Sequence, residues 1–390
     1  MTETLAPPST RTGPARVDHF DPPGLGLSPA EQLERIRVQA PAFREWLRAT
    51  GTVDRFAARA LVTLPYPTRW ALWEACSLPG LPYVWMTNRM FIIQWQEEGR
   101  TKTFLAEPSD YELGTGTPYI RWSIGDGEGG ARRLQRWIAD RAFTRYPPVL
   151  ERLAELGIRP EEVDYVAFDH LHTQDIRRVV GTRGPAPDLG HPDSPVPPMF
   201  PNARLIVQRD ELEHVRHVHP FQSRFHQPWT YDDLREDAFM VVDGDLLVAP
   251  GLALVRTAGH TLGNHTLVVN TERGIFTSSE NGVAAECYAP ELSRIPGLRA
   301  FAERWGIEVI LNFNTPEYAS WQYNSMVKEK LMADPVPGQG GIPQAFPSSE
   351  LTRHPAAPHF RPTFEHGDIT VGTFASPTAG PAAGAAGGAR

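Results

Sequence analysis

One histidine pair at the end of an apolar run constrains this chain more than any other feature. The stretch VDYVAFDHLHTQDIRRVVG (163–181) begins as a buried strand and then places His170 and His172 two residues apart. Alternate side chains of an extended segment point the same way, so both imidazoles can reach one point beside the strand end. The pair is either structural or supplies two of the roughly three protein ligands that a catalytic metal needs.

A third histidine and a carboxylate follow two later strands. His260 lies in TAGHTLGNHTL after the strand-like LALVR, and Glu280 ends the strand-like IFTSSE. We expect His260 to join the histidine pair around one cation, with Glu280 completing or bridging the site. Three neutral imidazoles leave a divalent cation electron-poor, which lowers the pKa of a bound water towards neutrality. A plain polar turn is the alternative for Glu280.

These motifs, in this order, resemble those of the metallo-β-lactamase-fold superfamily of metallohydrolases. The shared pattern is H-x-H, then T-x-G-H-T-x-G, then an acidic strand end, and it spans roughly residues 83–331. The flanking LGIRPEEVDYV and ARLIVQRDELE are similar to the lactonase branch, which includes the N-acyl-homoserine lactonases. The resemblance implies an α+β chain folded as an αββα sandwich, with an N-terminal helical addition and metal at one edge of the two sheets.

The chain departs from this family where the second metal would bind. The usual motif is H-x-H-x-D-H, and in HLHTQD the family Asp falls on Gln174 and the family His on Asp175. The bridging Asp falls near Ser279 or Glu280, and a final His appears as Asn314. The resemblance implies zinc at the three-histidine site. The second site, rebuilt from oxygen donors, is either empty or suited to manganese or iron.

The function that this resemblance implies is hydrolysis of an ester or lactone by a metal-bound hydroxide. Asp175 is then a candidate metal ligand and the candidate base and acid, because a carboxylate beside the water can take up its proton and return it to a leaving group. The alternative for Asp175 is an N-cap of the helix IRRVV. Two other functions stay open: a binding or regulatory member of the fold, and an iron-dependent oxidoreductase.

The composition indicates which binding partners and which cellular location to expect. The net charge of −8 and a pI near 5.9 argue against nucleic acid, and two cysteines exclude a disulfide framework. No apolar run of about 18 residues predicts a transmembrane helix, and the N-terminal stretch lacks a secretory apolar core. We therefore expect a cytoplasmic protein with a small-molecule substrate. A homodimer is the commonest assembly of soluble oligomers.

The chain divides into four predicted regions. Residues 1–27 form a flexible arm, 28–80 a helical extension, 81–334 the main domain, and 335–390 a Pro/Gly/Ala-rich, largely disordered tail. The extension opens with Ser28 as N-cap, Pro29 and Glu31, and we expect VDRFAARALVTL to be helical as well. EEGR predicts a hairpin turn in the main domain.

A second group of histidines lies in EHVRHVHPFQSRFH. His214 and His217 have helical spacing, and we expect a solvated helix end there rather than a second metal site. A role for His219 or His226 in the substrate pocket stays open, because this segment lies near the metal edge in the family.

Overall fold

Two β-sheets packed face to face form the centre of the molecule. The computed structural model describes residues 13–20, 26–78, 80–124, 141–227 and 229–375. Within these ranges one sheet has five strands, a larger one has nine, and a third has two. The strands are β1 Ala15–Val17, β2 Arg55–Pro67, β3 Tyr83–Glu97, β4 Arg100–Ala106, β5 Thr144–Arg145, β6 Tyr165–Ala167, β7 Pro185–Ala186, β8 His191–Pro195, β9 Arg204–Gln208, β10 Phe239–Val242, β11 Asp245–Ala249, β12 Leu252–Arg256, β13 His265–Thr271, β14 Gly274–Ser278, β15 Ser349–Thr352 and β16 Ile369–Val371.

Strand order places the two histidine motifs in different sheets. The smaller sheet runs β1-β11-β12-β13-β14 and is antiparallel. The larger runs β10-β9-β6-β4-β3-β2-β16, with parallel pairs from β10 to β4 and antiparallel pairs beyond. In addition, β15 pairs with β3, β5 pairs with β2, and β7 pairs with β8. Because β6 and β12 belong to different sheets, their loops meet only where the sheets face each other.

Large apolar side chains fill the space between the sheets. Phe56 and Phe91 of the larger sheet share a buried cluster with Leu254 and Phe276 of the smaller one. The rings of Phe56 and Phe276 stack with centroids 5.3 Å apart. This apolar interior fixes the relative position of the strand ends that carry the polar site.

Helices cover the outer face of each sheet. Their bounds are α1 Pro29–Thr50, α2 Thr68–Ala71, α3 Tyr111–Gly114, α4 Pro118–Ile124, α5 Val149–Glu155, α6 Arg177–Val180, α7 Arg209–Arg216, α8 Leu298–Trp305 and α9 Ala319–Met332. Single 3-10 turns occur at Pro160–Glu162, Pro187–Leu189, Ser223–Phe225, Glu236–Ala238, Ala285–Cys287, Pro290–Leu292 and Pro316–Tyr318. No helix of the described residues is long and apolar enough to cross a bilayer.

The layers follow the predicted αββα order. Phe43 of α1 and Met332 of α9 pack on the smaller sheet beside Val268. Leu153 of α5 and Val215 of α7 pack on the far face of the larger sheet, in a cluster that also includes residues of α6. The predicted fold class, an αββα sandwich, is confirmed.

The N-terminal region differs from the predicted helical extension in its second half. The capping box of Ser28 and Glu31 begins α1 as expected. The segment expected to continue as helix instead forms β2, which pairs with β3 over nearly its whole length. The predicted boundary between the extension and the main domain, at residue 80, therefore falls between two paired strands of the same sheet. Within the predicted arm, Ala15–Val17 pairs with β11, and residues 1–12 and 21–25 lie outside the described ranges.

The C-terminal region also differs from the predicted disordered tail. Strands β15 and β16 add to the larger sheet through β3 and β2. Phe346 and Leu351 are buried, and Glu350 is fully buried. The local composition favours disorder, but pairing with long strands elsewhere in the chain supplies order that composition does not encode. Residues 376–390 lie outside the described ranges.

Candidate metal centre

The first histidine pair lies in the loop that leaves β6. Leu171, between the two histidines, packs in the apolar cluster behind the larger sheet, whereas His170 and His172 are buried beside each other. Glu211 of α7 accepts a hydrogen bond of 2.7 Å from the Leu171 amide. Tyr231 donates its hydroxyl to the Leu171 carbonyl. Both polar groups of the residue between the histidines are thus fixed by side chains from distant elements.

The His260 loop, between β12 and β13, is held by the same carboxylate. Glu211 accepts a hydrogen bond of 2.6 Å from the Thr261 hydroxyl, and Asn281 accepts one of 2.9 Å from the His260 amide. A Cβ at Gly259 would lie 2.5 Å from the Cα of Gln322. The T-x-G-H motif therefore needs glycine because the loop passes against α9, and Glu211 links the two histidine loops.

The three histidines converge. Ring centroids lie 4.0 Å apart for His170 and His172, 4.5 Å for His170 and His260, and 4.8 Å for His172 and His260. One ligating nitrogen of each lies within 4.8 Å of the others, and the Nε2 atoms of His172 and His260 are 3.3 Å apart. Two nitrogens bound tetrahedrally at about 2.0–2.1 Å lie about 3.4 Å apart, so the donors fit a zinc-sized cation.

Asp169 orients one imidazole of this group. Its Oδ1 lies 2.5 Å from His170 Nδ1, which leaves Nε2 of His170 free to face the other rings. Burial alone would lower the pKa of His170, but the charge and hydrogen bond of Asp169 outweigh burial and raise it to about 9. The same contact holds the pKa of Asp169 below its ordinary value, although burial opposes this. A carboxylate behind a ligating histidine is the usual support of a metal site.

The other two imidazoles are neutral. Burial, followed by the charge on His170, lowers the pKa of both His172 and His260 well below the ordinary value. Neutral imidazoles are the form that binds a metal.

Glu280 lies beside this group, directly after β14. Its Oε2 is 3.7 Å from His170 Nε2, and its amide donates a hydrogen bond of 2.7 Å to Oδ2 of Asp169. Burial raises the pKa of Glu280 to about 7, with the charge of His170 acting in the opposite direction. Asp169, His170 and Glu280 form a second group whose ligand atoms are close enough to share a cation.

The structure does not bring Asp175 into either group of possible ligands among the described residues. Arg177 donates to both of its carboxylate oxygens, at 2.9 and 2.7 Å, and also to Asp188 at 2.6 Å. The Arg177 amide donates a further hydrogen bond of 3.2 Å to Asp175. The N-cap residue of α6 is Ile176, so Asp175 lies one position before the cap. The roles of ligand and base for Asp175 stay predictions.

Gln174 and Asn314 are both placed in the interior. Gln174 Oε1 and Asn314 Oδ1 are buried, and no described group hydrogen-bonds to either. Unpaired buried oxygens of this kind suit a hydrogen-bond donor or a cation.

Three residues near the site were missed by sequence reasoning. Besides Asp169 and Glu211, Glu107 accepts a 2.5 Å hydrogen bond from the Asp169 amide, with a backbone φ of 54° that is unusual for a side chain of this size. Burial, then the charge of Asp169, raises the pKa of Glu107 well above its ordinary value. Only Asp169 carried a sequence signal, since it directly precedes the H-x-H motif.

His226, for which the sequence left a role in the substrate pocket open, lies beside this group. Its ring is 5.5 Å from that of His172 and 5.5 Å from that of His214. Its Nδ1 lies 3.1 Å from the Gln222 carbonyl, which can only accept, so Nδ1 carries the proton. Nε2 then has a free lone pair, and it is buried without a partner in the described chain. Burial lowers the pKa of His226 to about 4 and keeps it neutral.

Part of the chain is similar in sequence to known proteins. No family model matches the chain. An N-acyl homoserine lactonase from Bacillus sp is 28% identical over 131 residues, which is 34% of this chain and 42% of that protein. Over this stretch the chain is similar to N-acyl homoserine lactonases. The aligned part spans less than half the length of this relative.

Solved structures show a similar fold at low identity. The B. thuringiensis lactonase AiiA, with N-decanoyl-L-homoserine at its active site, is 17% identical with a TM-score of 0.42, covering 66% of this chain and 88% of that one. The hydrolase AbOPH of the β-lactamase superfamily is 15% identical with a TM-score of 0.38, covering 71% and 82%.

Proposed function

We propose that the chain is a metal-dependent hydrolase of esters or lactones. The observation that carries this proposal is the convergence of His170, His172 and His260, which are buried and whose ligating nitrogens lie within 4.8 Å of one another. A cation bound between them would accept the facing Nε2 lone pairs of the neutral His172 and His260, which lie 3.3 Å apart. Among the divalent metals, zinc suits three imidazole nitrogens best, and iron or manganese are the alternatives that the experiment must separate.

The residues around the histidines hold them in place before any ligand binds. Asp169 fixes the orientation of His170, and Glu211 fixes the loops of His172 and His260 relative to each other. A divalent cation bound there would polarise a substrate carbonyl and make a water nucleophilic near neutral pH. Glu280, next to His170, is the carboxylate best placed to complete the site or bridge to a second cation.

The ester or lactone substrate is supported by the homologous lactonases, which share 131 aligned residues with this chain. Hydrolysis of such a bond needs a polarised carbonyl and a water-derived nucleophile, and a three-histidine centre with an adjacent carboxylate supplies the groups for both. The loss of both family histidines of the second site favours one cation bound by imidazoles.

The proposal is tested by metal-dependent turnover. Protein stripped with a chelator would be reloaded separately with zinc, manganese or ferrous iron and assayed on a panel of lactones and esters. We expect hydrolysis that depends on metal, is lost in His172→Ala, and is kept in His265→Asn, a control at an equally buried histidine outside the triad. Bound metal without turnover would support a binding protein, and oxygen uptake with iron would support an oxidoreductase.

A further inference from the structure

A group of aromatic side chains covers the metal centre on one side. This aromatic roof consists of Phe225, Trp70, Tyr119 and Tyr66. Phe225 stacks on His172 with ring centroids 5.6 Å apart and planes 25° apart. Trp70 lies 5.7 Å from Phe225, 5.7 Å from Tyr119 and 5.9 Å from Tyr66. The roof therefore begins in contact with a proposed ligand and extends away from it.

The roof is attached to the loop that carries the histidine pair. The Thr173 amide donates a hydrogen bond of 2.7 Å to the Phe225 carbonyl, and Gln227 Nε2 donates one of 2.7 Å to the Thr173 carbonyl. At its other end, the Trp70 carbonyl accepts a hydrogen bond of 2.6 Å from the Phe313 amide. The position of the roof relative to the metal centre is thus set by backbone contacts.

Two exposed arginines lie against the outer part of the roof. The guanidinium of Arg69 is 5.3 Å from the centroid of the Trp70 ring, and that of Arg224 is 5.7 Å from it. Arg224 also lies 5.8 Å from Phe225. Contacts of this kind orient the planar guanidinium groups while leaving their N–H donors available.

Neither guanidinium has a carboxylate partner in the described part of the chain, by hydrogen bond or by ion pair. Arginines elsewhere, such as Arg177 and Arg48, are bound by aspartates at 2.6–2.7 Å. Arg69 and Arg224 thus place two positive charges beside one indole, with no acidic partner among the described residues. Because like charges repel, an anion near both would relieve the repulsion and gain charge-assisted hydrogen bonds.

We propose that Arg69 and Arg224 form a carboxylate-binding subsite beside Trp70 of the aromatic roof. This rests on the proposed function and specifies its substrate class: esters or lactones with an apolar body that lies along the roof and a carboxylate at the end far from the reacting bond. The aromatic rings contact the body, and the two guanidinium groups bind the terminal anion.

The test compares two esters of equal length, one ending in a carboxylate and the other in the isosteric primary amide. Arg69→Gln, Arg224→Gln and the double variant would be measured beside Arg304→Gln, a control in which another exposed arginine lies 5.7 Å from a tryptophan ring. We expect wild-type protein to prefer the carboxylate ester. The ratio of kcat/KM between the two esters should fall about tenfold in the double variant, mainly through KM, and stay unchanged in Arg304→Gln. An unchanged ratio in the double variant would overturn the subsite.

If neither ester is hydrolysed, the proposed function fails, and equilibrium binding then decides the subsite by itself. Calorimetric titration with phenylbutyrate and phenylbutyramide uses an aromatic ring for the roof and compares a carboxylate with an amide. Tighter binding of the carboxylate, weakened by salt and lost in the double variant, supports the subsite. Equal binding of both compounds, or a preference that the double variant keeps, overturns it.

Discussion

His170 receives its orientation from the residue beside it in sequence. Asp169 bonds the imidazole through one oxygen, and through the other it accepts hydrogen bonds from the Glu280 amide at 2.7 Å and from the Ser348 hydroxyl at 3.1 Å. One carboxylate therefore joins three separate segments of chain at the proposed metal centre.

Replacing this carboxylate by the isosteric amide should weaken metal binding. We expect Asp169→Asn to lower zinc affinity about 10–100-fold, the usual effect of losing the group behind a ligating histidine. Competition with a fluorescent chelator measures this, and Asp245→Asn serves as the control at a buried aspartate in β11. Unchanged affinity in Asp169→Asn would show that His170 needs no such support.

Asp175 is either a structural partner of Arg177 or a functional group of the metal centre, and one substitution distinguishes the two hypotheses. Because Arg177 binds both of its oxygens, we expect Asp175→Asn to lower the free energy of unfolding by about 1.5–3 kcal/mol, the value of hydrogen bonds to charged groups. Its metal content should stay unchanged. Loss of metal or of turnover at full stability, measured by urea unfolding beside the assay, would restore Asp175 to the metal centre.

Part of the site could be predicted from the sequence, for physical reasons. H-x-H after a buried strand, and His260 in a glycine-containing turn, are short-range patterns whose geometry follows from the strands that they leave. Glu211 could not be predicted, because it reaches both histidine loops from a helix distant in sequence. Asp175 was predicted to lie at the metal, but its carboxylate contacts Arg177. Such a contact depends on side-chain torsions, which have no sequence signal.

At the scale of elements, the strand β15 ties the C-terminal region to the site. Glu350, fully buried, accepts hydrogen bonds from Arg89 at 2.8 Å and from His366 at 2.9 Å. In the segment leading into this strand, Ser348 donates to Asp169. The region expected to be disordered therefore contributes directly to the support of the metal centre.

Removing the buried carboxylate of Glu350 should lower the free energy of unfolding. Glu350→Gln leaves the buried Arg89 with only the partly exposed Asp368, 3.5 Å away, as a counter-charge, and we expect the free energy of unfolding to fall by about 3–5 kcal/mol. Glu365→Gln is the matched control, because its partner Arg353 is largely exposed and such pairs contribute about 0–1 kcal/mol. Urea unfolding of both variants measures the two free energies of unfolding. Equal losses of stability in Glu350→Gln and Glu365→Gln would contradict a special contribution of the buried Glu350.

The carboxyl group of Glu350 should also make the stability of the fold depend on pH. Burial alone would raise the pKa of Glu350, but the hydrogen bond and charge of His366 and the charge of Arg89 outweigh it, so the folded pKa lies below the ordinary value. The contribution of ionised Glu350 to the free energy of unfolding is full above the pKa of a glutamate in the unfolded chain, about 4.3. It is lost as the pH falls through the lower pKa of Glu350 in the folded protein. The stability difference between wild type and Glu350→Gln should therefore shrink below about pH 4. A difference that grows in acid would contradict this.

Helices, turns and strands could be predicted from the sequence where neighbouring residues determine them. The capping box at Ser28 begins α1, and the turn at Glu98 and Gly99 has φ of 50° and 75°, as a tight hairpin requires. The strand β2 was not predictable, since its alanines and arginines also suit a helix and only pairing with β3 decides. The same holds for β15, which follows a stretch rich in proline and glycine.

For the whole molecule, the metal centre joins the two sheets, because His170 and His172 follow a strand of one sheet and His260 a strand of the other. A cation bound there should stabilise the entire fold, by about 2.7 kcal/mol at a free concentration about 100 times Kd. We expect the melting temperature of wild-type protein to rise with zinc and that of His172→Ala to stay constant. An equal rise in both would place the bound metal elsewhere. A homodimer and a cytoplasmic location stay predictions.

The central claim is that three imidazoles from two sheets bind one cation. Anomalous diffraction at the zinc edge, from crystals grown with zinc, tests this most directly. We predict one strong peak about 2.0–2.1 Å from the Nε2 atoms of His170, His172 and His260. Fully ordered histidines with no peak between them, or a peak bound only by other residues, would contradict the account.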